Sequence, residues 1–487
     1  MSIFDLRQSV TDEYSKYVQS FLSIVDERVR AFIEESLLKN QALWPDALLQ
    51  INPSYETAST IQDLVNKEKL HALCGEIFRA ESGEPIRLYR HQQEAIEKAL
   101  NRKHFVVTSG TGSGKTLTYF VPIFDAILRT NPEEAKTRAI IVYPMNALVN
   151  SQEEALGRLL TQYRNLTGKE CPVRFSKYTG QEKGQQKQNI QKNPPHILLT
   201  NYVMLELMLI RPEEHNFVDR TTADLQFLVI DELHTYRGRQ GADVGLLIRR
   251  LRERSGNQNL QCIGTSATMV AGKTTSRRER QVAVAQFASK IFGAAIEPDS
   301  IIEESLKRIT PIPTIPSAEI LRNTLDSPVP QTVEETIKNP LTAWVELTFG
   351  VEEEPDGQLR RKPPVSLLEG AQKLSDLTGI EVHHCQERLR ESFLLGSQMK
   401  MTEGSSPFAF KLHQFIGQGR TVYATLQPRS KRFLTLEGQY FAPEQKEEHI
   451  LYPLLFCRVC GQDYYVRLLC SGQRCGERTV PAVRPAK

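Results

Sequence analysis

The 487-residue sequence has no uninterrupted apolar run near the roughly 20 residues that a membrane-spanning helix requires, which excludes a helical membrane span. It also lacks an excess of one charge: 61 Lys and Arg face 58 Asp and Glu, a formal net charge of +3. No global positive field therefore announces a nucleic-acid partner. A protein that holds phosphates with backbone amides and a few side chains in one groove needs no such field. The eight cysteines do not form a secreted disulfide framework, because Cys74, Cys171, Cys262 and Cys385 are scattered and Cys457, Cys460, Cys470 and Cys475 are bunched. Met1-Ser2-Ile3-Phe4-Asp5 lacks the basic-then-apolar pattern of a secretory signal, and no internal repeat is visible. A cytoplasmic protein with no membrane partner is expected. With 40% hydrophobic and 24% charged residues the composition is that of an ordinary globular protein, long enough for about two to four domains.

Along the chain, residues 1–70 read as an N-terminal helical segment, with Tyr17, Phe21, Ile24 and Val25 at helical spacing. In residues 71–309 short apolar runs alternate with helical patterns: Phe105-Val106-Val107, Ala139-Ile140-Ile141-Val142, Ile197-Leu198-Leu199, Phe227-Leu228-Val229-Ile230 and Cys262-Ile263-Gly264. Runs apolar throughout and separated by helices are what a parallel sheet covered on both faces requires. The fold class expected is α/β, with a mostly parallel sheet and helices on both faces. Residues 310–330 read as a Pro-rich linker, and 331–405 as a helical insert with a charged break at Glu352 to Lys362. Residues 406–487 read as β-rich, notably Thr421 to Leu426.

The chemistry is concentrated in the α/β region. Ser109-Gly110-Thr111-Gly112-Ser113-Gly114-Lys115-Thr116 follows one expected strand and opens an expected helix. Glycines let such a loop wrap phosphates with its amides turned inward, and the helix N-terminus adds partial positive charge. In that arrangement Lys115 reaches the β- and γ-phosphates of ATP, and the Thr116 hydroxyl ligates Mg²⁺. The first position of the pattern is ordinarily Gly; here it is Ser109. The complementary acidic residues are Asp231 and Glu232, directly after the run Phe227–Ile230. Asp231 is placed to hold Mg²⁺ through water, and Glu232 to orient or deprotonate an attacking water.

Asp231-Glu232-Leu233-His234 resembles the DEAD/DEAH-box motif of superfamily-2 helicases, and further stations agree with it. Gln92, 23 residues before Lys115, resembles the adenine-reading glutamine. Pro144-Met145-Asn146 resembles motif Ia, the stretch around Gly180 motif Ib, and Thr200-Asn201 motif Ic. The resemblance implies that these loops grip a nucleic-acid backbone. Ser266-Ala267-Thr268 resembles motif III, so that His234, Ser266 and Thr268 would couple the nucleotide site to strand separation. The longer string from Asp231 to Val244 is similar to the large bacterial helicases of the Mrf and Lhr-like group, as are Leu43-Trp44-Pro45 and Asn52-Pro53-Ser54. That likeness implies a RecA-like fold and DNA as the nucleic acid.

Such a motor needs a second RecA-like domain to close the cleft and supply arginine fingers, and arginine fingers are worth ~10³–10⁵ in rate in GTPases. The nearest string to the required motif VI, Gln414-Phe415-Ile416-Gly417-Gln418-Gly419-Arg420, lacks its first Arg and leads into an alternating strand. The expectation is that this chain stops before the second domain, as a fragment, a split gene or a truncated product, with a partner chain as one source of the missing domain. Cys457-x-x-Cys460 has zinc-ribbon half-site spacing that Cys470 and Cys475 complete if Zn²⁺ is bound; otherwise it is an orphaned half-site. Arg249, Arg250, Arg252 and Arg254 read as a solvated face or an interdomain surface, with a nucleic-acid contact as the alternative. Three functions remain open on the sequence: a nucleic-acid-dependent ATPase, a sensor P-loop ATPase without unwinding, and a nucleotide-binding scaffold.

Overall fold

The computed structural model describes residues 2–20, 24–39, 43–110, 112–267, 276–401, 406–417, 421–443, 449–471 and 474–481. They divide into two compact units, Tyr55–Lys307 and a second made of Met1–Ser54 with Arg308–Lys487.

The first unit is built on seven strands: β1 (Phe105–Thr108), β2 (Ala139–Tyr143), β3 (Phe175–Tyr178), β4 (Ile197–Asn201), β5 (Phe227–Ile230), β6 (Gln261–Ser266) and β7 (Ile301–Glu303). They lie in the order β7-β1-β6-β5-β2-β4-β3, and every pairing is parallel. Residues alternate between two cores. Phe105, Val107, Ile141, Leu199, Val229 and Ile263 enter one core, while Val106, Ile140, Leu198, Leu228, Ile230 and Cys262 enter the other. Both faces of each central strand are therefore apolar, which is why the sequence runs read as continuous.

The first face is covered by α1 (Arg90–Leu100), α2 (Leu117–Leu128) and α3 (Asn146–Thr167). The opposite face is covered by α4 (Gly184–Lys192), α5 (Tyr202–Ile210), α6 (His215–Thr222), α7 (Gly238–Ser255) and α8 (Arg277–Phe292). Because all strands run the same way, the residues after each one gather on a single edge. Ser109, Pro144, Thr179, Tyr202, Asp231, Ala267 and Glu304 all follow strand ends there, the edge where open α/β sheets bind ligands. Edge strand β3, with its sequence Phe-Ser-Lys-Tyr, and the three-residue β7 carry no continuous apolar run, so only the five central strands are visible in the sequence.

In the second unit the helices Ile3–Ser20 and Glu27–Ile33 are followed by a strand, Leu48–Asn52, which pairs antiparallel with Val365–Ser366 and Ala409–His413. A helix capped by Ser317, Ala318–Leu325, occupies the middle of the Pro-rich stretch. The charged break is a hairpin of Val351–Glu353 with Leu359–Arg361, set within a helical body ending in Leu367–Thr378 and Val382–Gln398. A five-stranded antiparallel sheet follows, in the order Leu434–Thr435, Tyr423–Thr425, Leu451–Phe456, Asp463–Ser471, Arg474–Pro481. Beside it, Arg432 is buried between Asp26 and Asp463, at 2.8 and 2.6 Å. No described helix is long and apolar enough to cross a membrane.

Candidate functional site

The loop between β1 and α2 turns on two glycines. Gly112 and Gly114 take φ of 86° and 67°, a region that L side chains avoid. Among the described residues, and apart from its chain neighbours, no heavy atom lies within 4 Å of where a Cβ on Gly112 would stand. Thr111 lies outside the described residues. The unusual first position has a clear use: the Ser109 hydroxyl lies 2.6 Å from that of Ser113, stapling the loop across its base. The Ser109 amide donates to the Ser266 carbonyl at 3.1 Å, and the Gly110 amide to Glu304 Oε2 at 3.1 Å. Lys115 Nζ bridges the cradle, donating to the Ser109 carbonyl at 3.1 Å with Glu232 Oε1 3.7 Å away. Thr116 stands at the start of α2, and its hydroxyl makes no capping bond to the helix.

Gln92 is buried against this loop. Its Nε2 donates to the carbonyls of Ser113 and Gly114, both at 3.0 Å, and its Oε1 accepts the Tyr89 amide at 2.8 Å. Both donor hydrogens are thus committed to the loop. One lone pair of Oε1 is left for a base. Gly114 has no side chain for the same reason, since a Cβ there would stand 2.4 Å from Gln92 Nε2.

Asp231 and Glu232 leave the end of β5 in a turn held by β6. The Asp231 carboxylate accepts the Thr265 hydroxyl, and that same oxygen of Thr265 accepts the Glu232 amide at 3.3 Å. Burial lifts the Asp231 carboxyl to about 6, and the neighbouring Glu232 charge adds to the rise against the Thr265 hydrogen bond and Lys115. Glu232 takes φ 51°, one of three non-glycine residues with positive φ among those described. His234 Nδ1 stands 3.2 Å from Glu232 Oε2 and 3.3 Å from both the Ser266 hydroxyl and the Ala267 amide. Burial lowers the His234 pKa, which favours the neutral ring that accepts the Ala267 amide. Ser266 therefore touches both halves of the site, its carbonyl on Ser109 and its hydroxyl toward His234. Thr268 lies outside the described residues. Behind Asp231 the hydroxyls of Tyr119 and Tyr143 lie 3.5 Å apart, both pushed up in pKa by burial, with the Asp231 charge contributing.

Sequence reasoning missed Thr265 and Glu304. Thr265 sits on a buried strand one residue before the recognised tripeptide, a place where a polar side chain needs a partner. Glu304 follows a strand too short to be seen.

The β2-β4-β3 half of the edge brings Pro144, Asn146, Gly180, Thr200 and Asn201 together. Asn201 Nδ2 donates to Asn146 Oδ1 at 2.5 Å, while Asn201 Oδ1 caps α5 through the Met204 amide at 2.7 Å. Gly180 takes φ 85°, and Glu182 ties its loop by accepting the Thr179 amide at 2.7 Å. Thr200 is fully buried, and its hydroxyl donates to the Tyr178 carbonyl at 2.6 Å. It therefore holds the end of β3 in place instead of pointing outward.

The arginine run has more specific partners than solvent. Arg249 donates to the carbonyls of Gly245 and Lys290 at 2.7 and 2.9 Å, Arg252 to that of Phe292 at 3.2 Å, and Arg254 meets Asp219 at 2.8 Å. Arg249 and Arg252 thus satisfy the last carbonyls of α8.

At Cys457-x-x-Cys460 the chain turns tightly, with the Gly461 amide on the Cys457 carbonyl at 2.9 Å and Gly461 at φ 69°. The amides of Cys460 and Val459 draw the Cys457 thiol below its usual pKa. Cys470 and Cys475 face each other across an antiparallel pairing, but their side chains lie outside the described residues. Among the described residues no group of three or more ligating side chains can hold a metal. Two thiols are half of the tetrahedral set, so zinc finds no support there. Of the string Gln414 to Arg420, Gln414 is held by Arg7 at 2.7 Å and by the Pro45 carbonyl at 2.8 Å, and residues 418–420 lie outside the described set.

A seven-stranded parallel sheet with a phosphate loop after β1 and an Asp-Glu pair after β5 defines a RecA-like P-loop domain. Residues 89–275 match the family described as DEAD/DEAH box helicase. This part of the chain is a DEAD/DEAH box helicase domain, in agreement with the sequence resemblance. The Druantia protein DruE of Escherichia coli (strain UMEA 4076-1) is 27% identical over 375 residues, covering 55% of this chain and 20% of DruE. The ATP-dependent helicase Lhr-Core of Saccharolobus solfataricus is 28% identical over 217 residues, covering 42% of this chain and 24% of that protein. Among solved structures, helicase MrfA bound to DNA aligns at a TM-score of 0.42 and 23% identity, over 56% of this chain and 32% of that one. The chain spans between a fifth and a third of the length of these proteins.

Proposed function

We propose that the unit Tyr55–Lys307 is the ATP-binding lobe of a helicase-type ATPase that couples hydrolysis to movement on nucleic acid. The observation that carries this reading is Lys115 Nζ held between the Ser109 carbonyl of the phosphate loop and Glu232 of the acidic pair, at 3.1 and 3.7 Å. The residues fit Mg·ATP. Backbone amides of 112–116 would wrap the phosphates, and Thr116 and Asp231 would hold the metal. The bound metal supplies charge neutralisation on the phosphates. Lys115 exchanges its carbonyl and carboxylate contacts for phosphate oxygens, which frees Glu232 to accept a proton from water. Gln92 braces the loop and offers Oε1 to the adenine amino group. His234, Ser266 and Thr268 carry the nucleotide state toward the strand-separating edge.

The β2-β4-β3 edge is proposed as the nucleic-acid track, with Asn146 and Asn201 facing the backbone. DNA is the proposed ligand, on the sequence resemblance to the Mrf and Lhr-like group. A second RecA-like lobe is proposed to close the cleft with its arginines.

The test is ATP hydrolysis with and without single-stranded DNA, comparing the chain with Lys115→Ala and Glu232→Gln. DNA-stimulated turnover that falls at least about 10²-fold in both variants supports a motor. Binding of ATP without turnover under any condition favours the scaffold reading until a second lobe is added. No ATP binding refutes the proposal.

A further inference from the structure

Three features of β6 converge on the turn that carries Asp231 and Glu232. Thr265 is fully buried, and its one hydroxyl serves both residues: its hydrogen goes to the Asp231 carboxylate, and its oxygen accepts the Glu232 amide at 3.3 Å. The adjacent Gly264 is bare on the opposite face, where Leu233 fills the space. Between these two anchors Glu232 is forced to φ 51°, ψ 50°. A non-glycine residue there costs on the order of 1–3 kcal/mol and persists only where its surroundings hold it. A buried carboxylate likewise needs hydrogen-bond donors to offset its desolvation.

We propose that Thr265 is a positioning residue of the nucleotide site. Its single hydroxyl fixes the Asp231 carboxylate toward the metal position and locks the Glu232 backbone, so that the two acidic groups face the phosphate loop together. This inference rests on the nucleotide-site reading above and goes beyond it. It gives a required role to a side chain that touches neither nucleotide nor metal. The chemistry needed is that of a hydroxyl, donor and acceptor at once. Serine supplies it; valine, with nearly the same shape, does not. A purely packing role would make the opposite prediction, with valine the better replacement.

The readout is the gain in ADP affinity that Mg²⁺ confers on the full chain, measured with a fluorescent ADP in Mg²⁺ and in EDTA. This quantity needs no turnover and no second lobe. Thr265→Val is expected to lose at least about tenfold of the Mg²⁺-dependent gain, the scale of a hydrogen bond to a charged group, with the EDTA affinity unchanged. Thr265→Ser is expected to keep the gain within about twofold. Thr265→Ala removes the hydroxyl without risk of a clash and follows Thr265→Val, so an unfolded valine variant does not leave the question open. A valine or alanine variant that keeps the full Mg²⁺ gain overturns the proposal, as does a serine variant that loses it. An unsubstituted chain that does not bind ADP, or binds it without regard to Mg²⁺, refutes the nucleotide-site reading itself.

Discussion

Gly264 is bare where Leu233 needs room: a methyl group on Gly264 would stand 2.2 Å from Leu233 Cδ1 and 3.2 Å from Val106 Cγ2. Leu233 is fully buried, so it has nowhere to retreat. The residue before Thr265 and the residue after Glu232 therefore determine each other. Gly264→Ala is expected to cost about 1–3 kcal/mol through overpacking, and to shift Asp231 and Glu232 as Leu233 is displaced. Thermal unfolding and ADP affinity in Mg²⁺ check this together, and an alanine variant unchanged in both would show that the turn is not wedged.

Asp231 links function to stability with an unusual sign. Burial pushes its carboxyl up to about 6 in the fold, from an ordinary value of 3.8. Between those pH values the folded chain holds a proton that the unfolded chain has released. Stability therefore falls as pH rises through that window and stays at the lower level above it. Asp231→Asn removes the buried charge while leaving Thr265 an acceptor. It is expected to stabilise the nucleotide-free chain at pH 7.5 by about 1–3 kcal/mol, and to do nothing for it at pH 3.5. Mg²⁺-dependent ADP affinity should disappear in the same variant. Chemical unfolding at the two pH values measures the effect, and a destabilised Asp231→Asn at pH 7.5 contradicts it.

Arg249 and Arg250 are neighbours with different tasks. The Arg249 guanidinium binds the Gly245 and Lys290 carbonyls, and its stem packs where a Cβ on Gly293 would come within 3.1 Å. Arg249→Ala should cost about 1–2 kcal/mol by leaving the α8 terminus uncapped. Arg250→Ala should lie within about 0.5 kcal/mol of the parent. Equal effects of the two substitutions on unfolding would restore the view of this run as a uniform surface.

The sequence made the centre of the domain legible because β1, β2, β4, β5 and β6 are buried on both faces and each carries a short continuous apolar run. The edges escaped notice for the opposite reason. In β3, Ser176 and Lys177 face partial solvent, and β7 is only three residues long. The phosphate loop and the Asp-Glu pair were readable because their chemistry depends on local spacing. Thr265 was not, since its meaning lies in contact with residues more than thirty positions away. Gln92 was found by spacing, but its role as a brace of the loop depends on where Gly114 sits. The arginines on α7 were read as solvated because nothing local shows that the end of α8 lies beneath them.

Asn146 opens α3 and Asn201 ends β4, 55 positions apart, and their carboxamides meet at 2.5 Å. Asn201 also caps α5 through Met204, whereas α3 takes no side-chain cap from Met145 before it. Asn201→Ala should therefore lower stability by about 1 kcal/mol, and Asn146→Ala should not. Both should weaken binding of single-stranded DNA if this edge is the track. Because the two side chains hold each other in place, the double variant should lose less than the sum of the singles, with a coupling of at least about 0.5 kcal/mol. Titrations at two salt concentrations separate this from a simple loss of charge, since neither side chain is ionic and the salt slope should not change. Additive losses would mean that the two residues meet the nucleic acid independently. No loss in either would move the track away from the β2-β4-β3 edge.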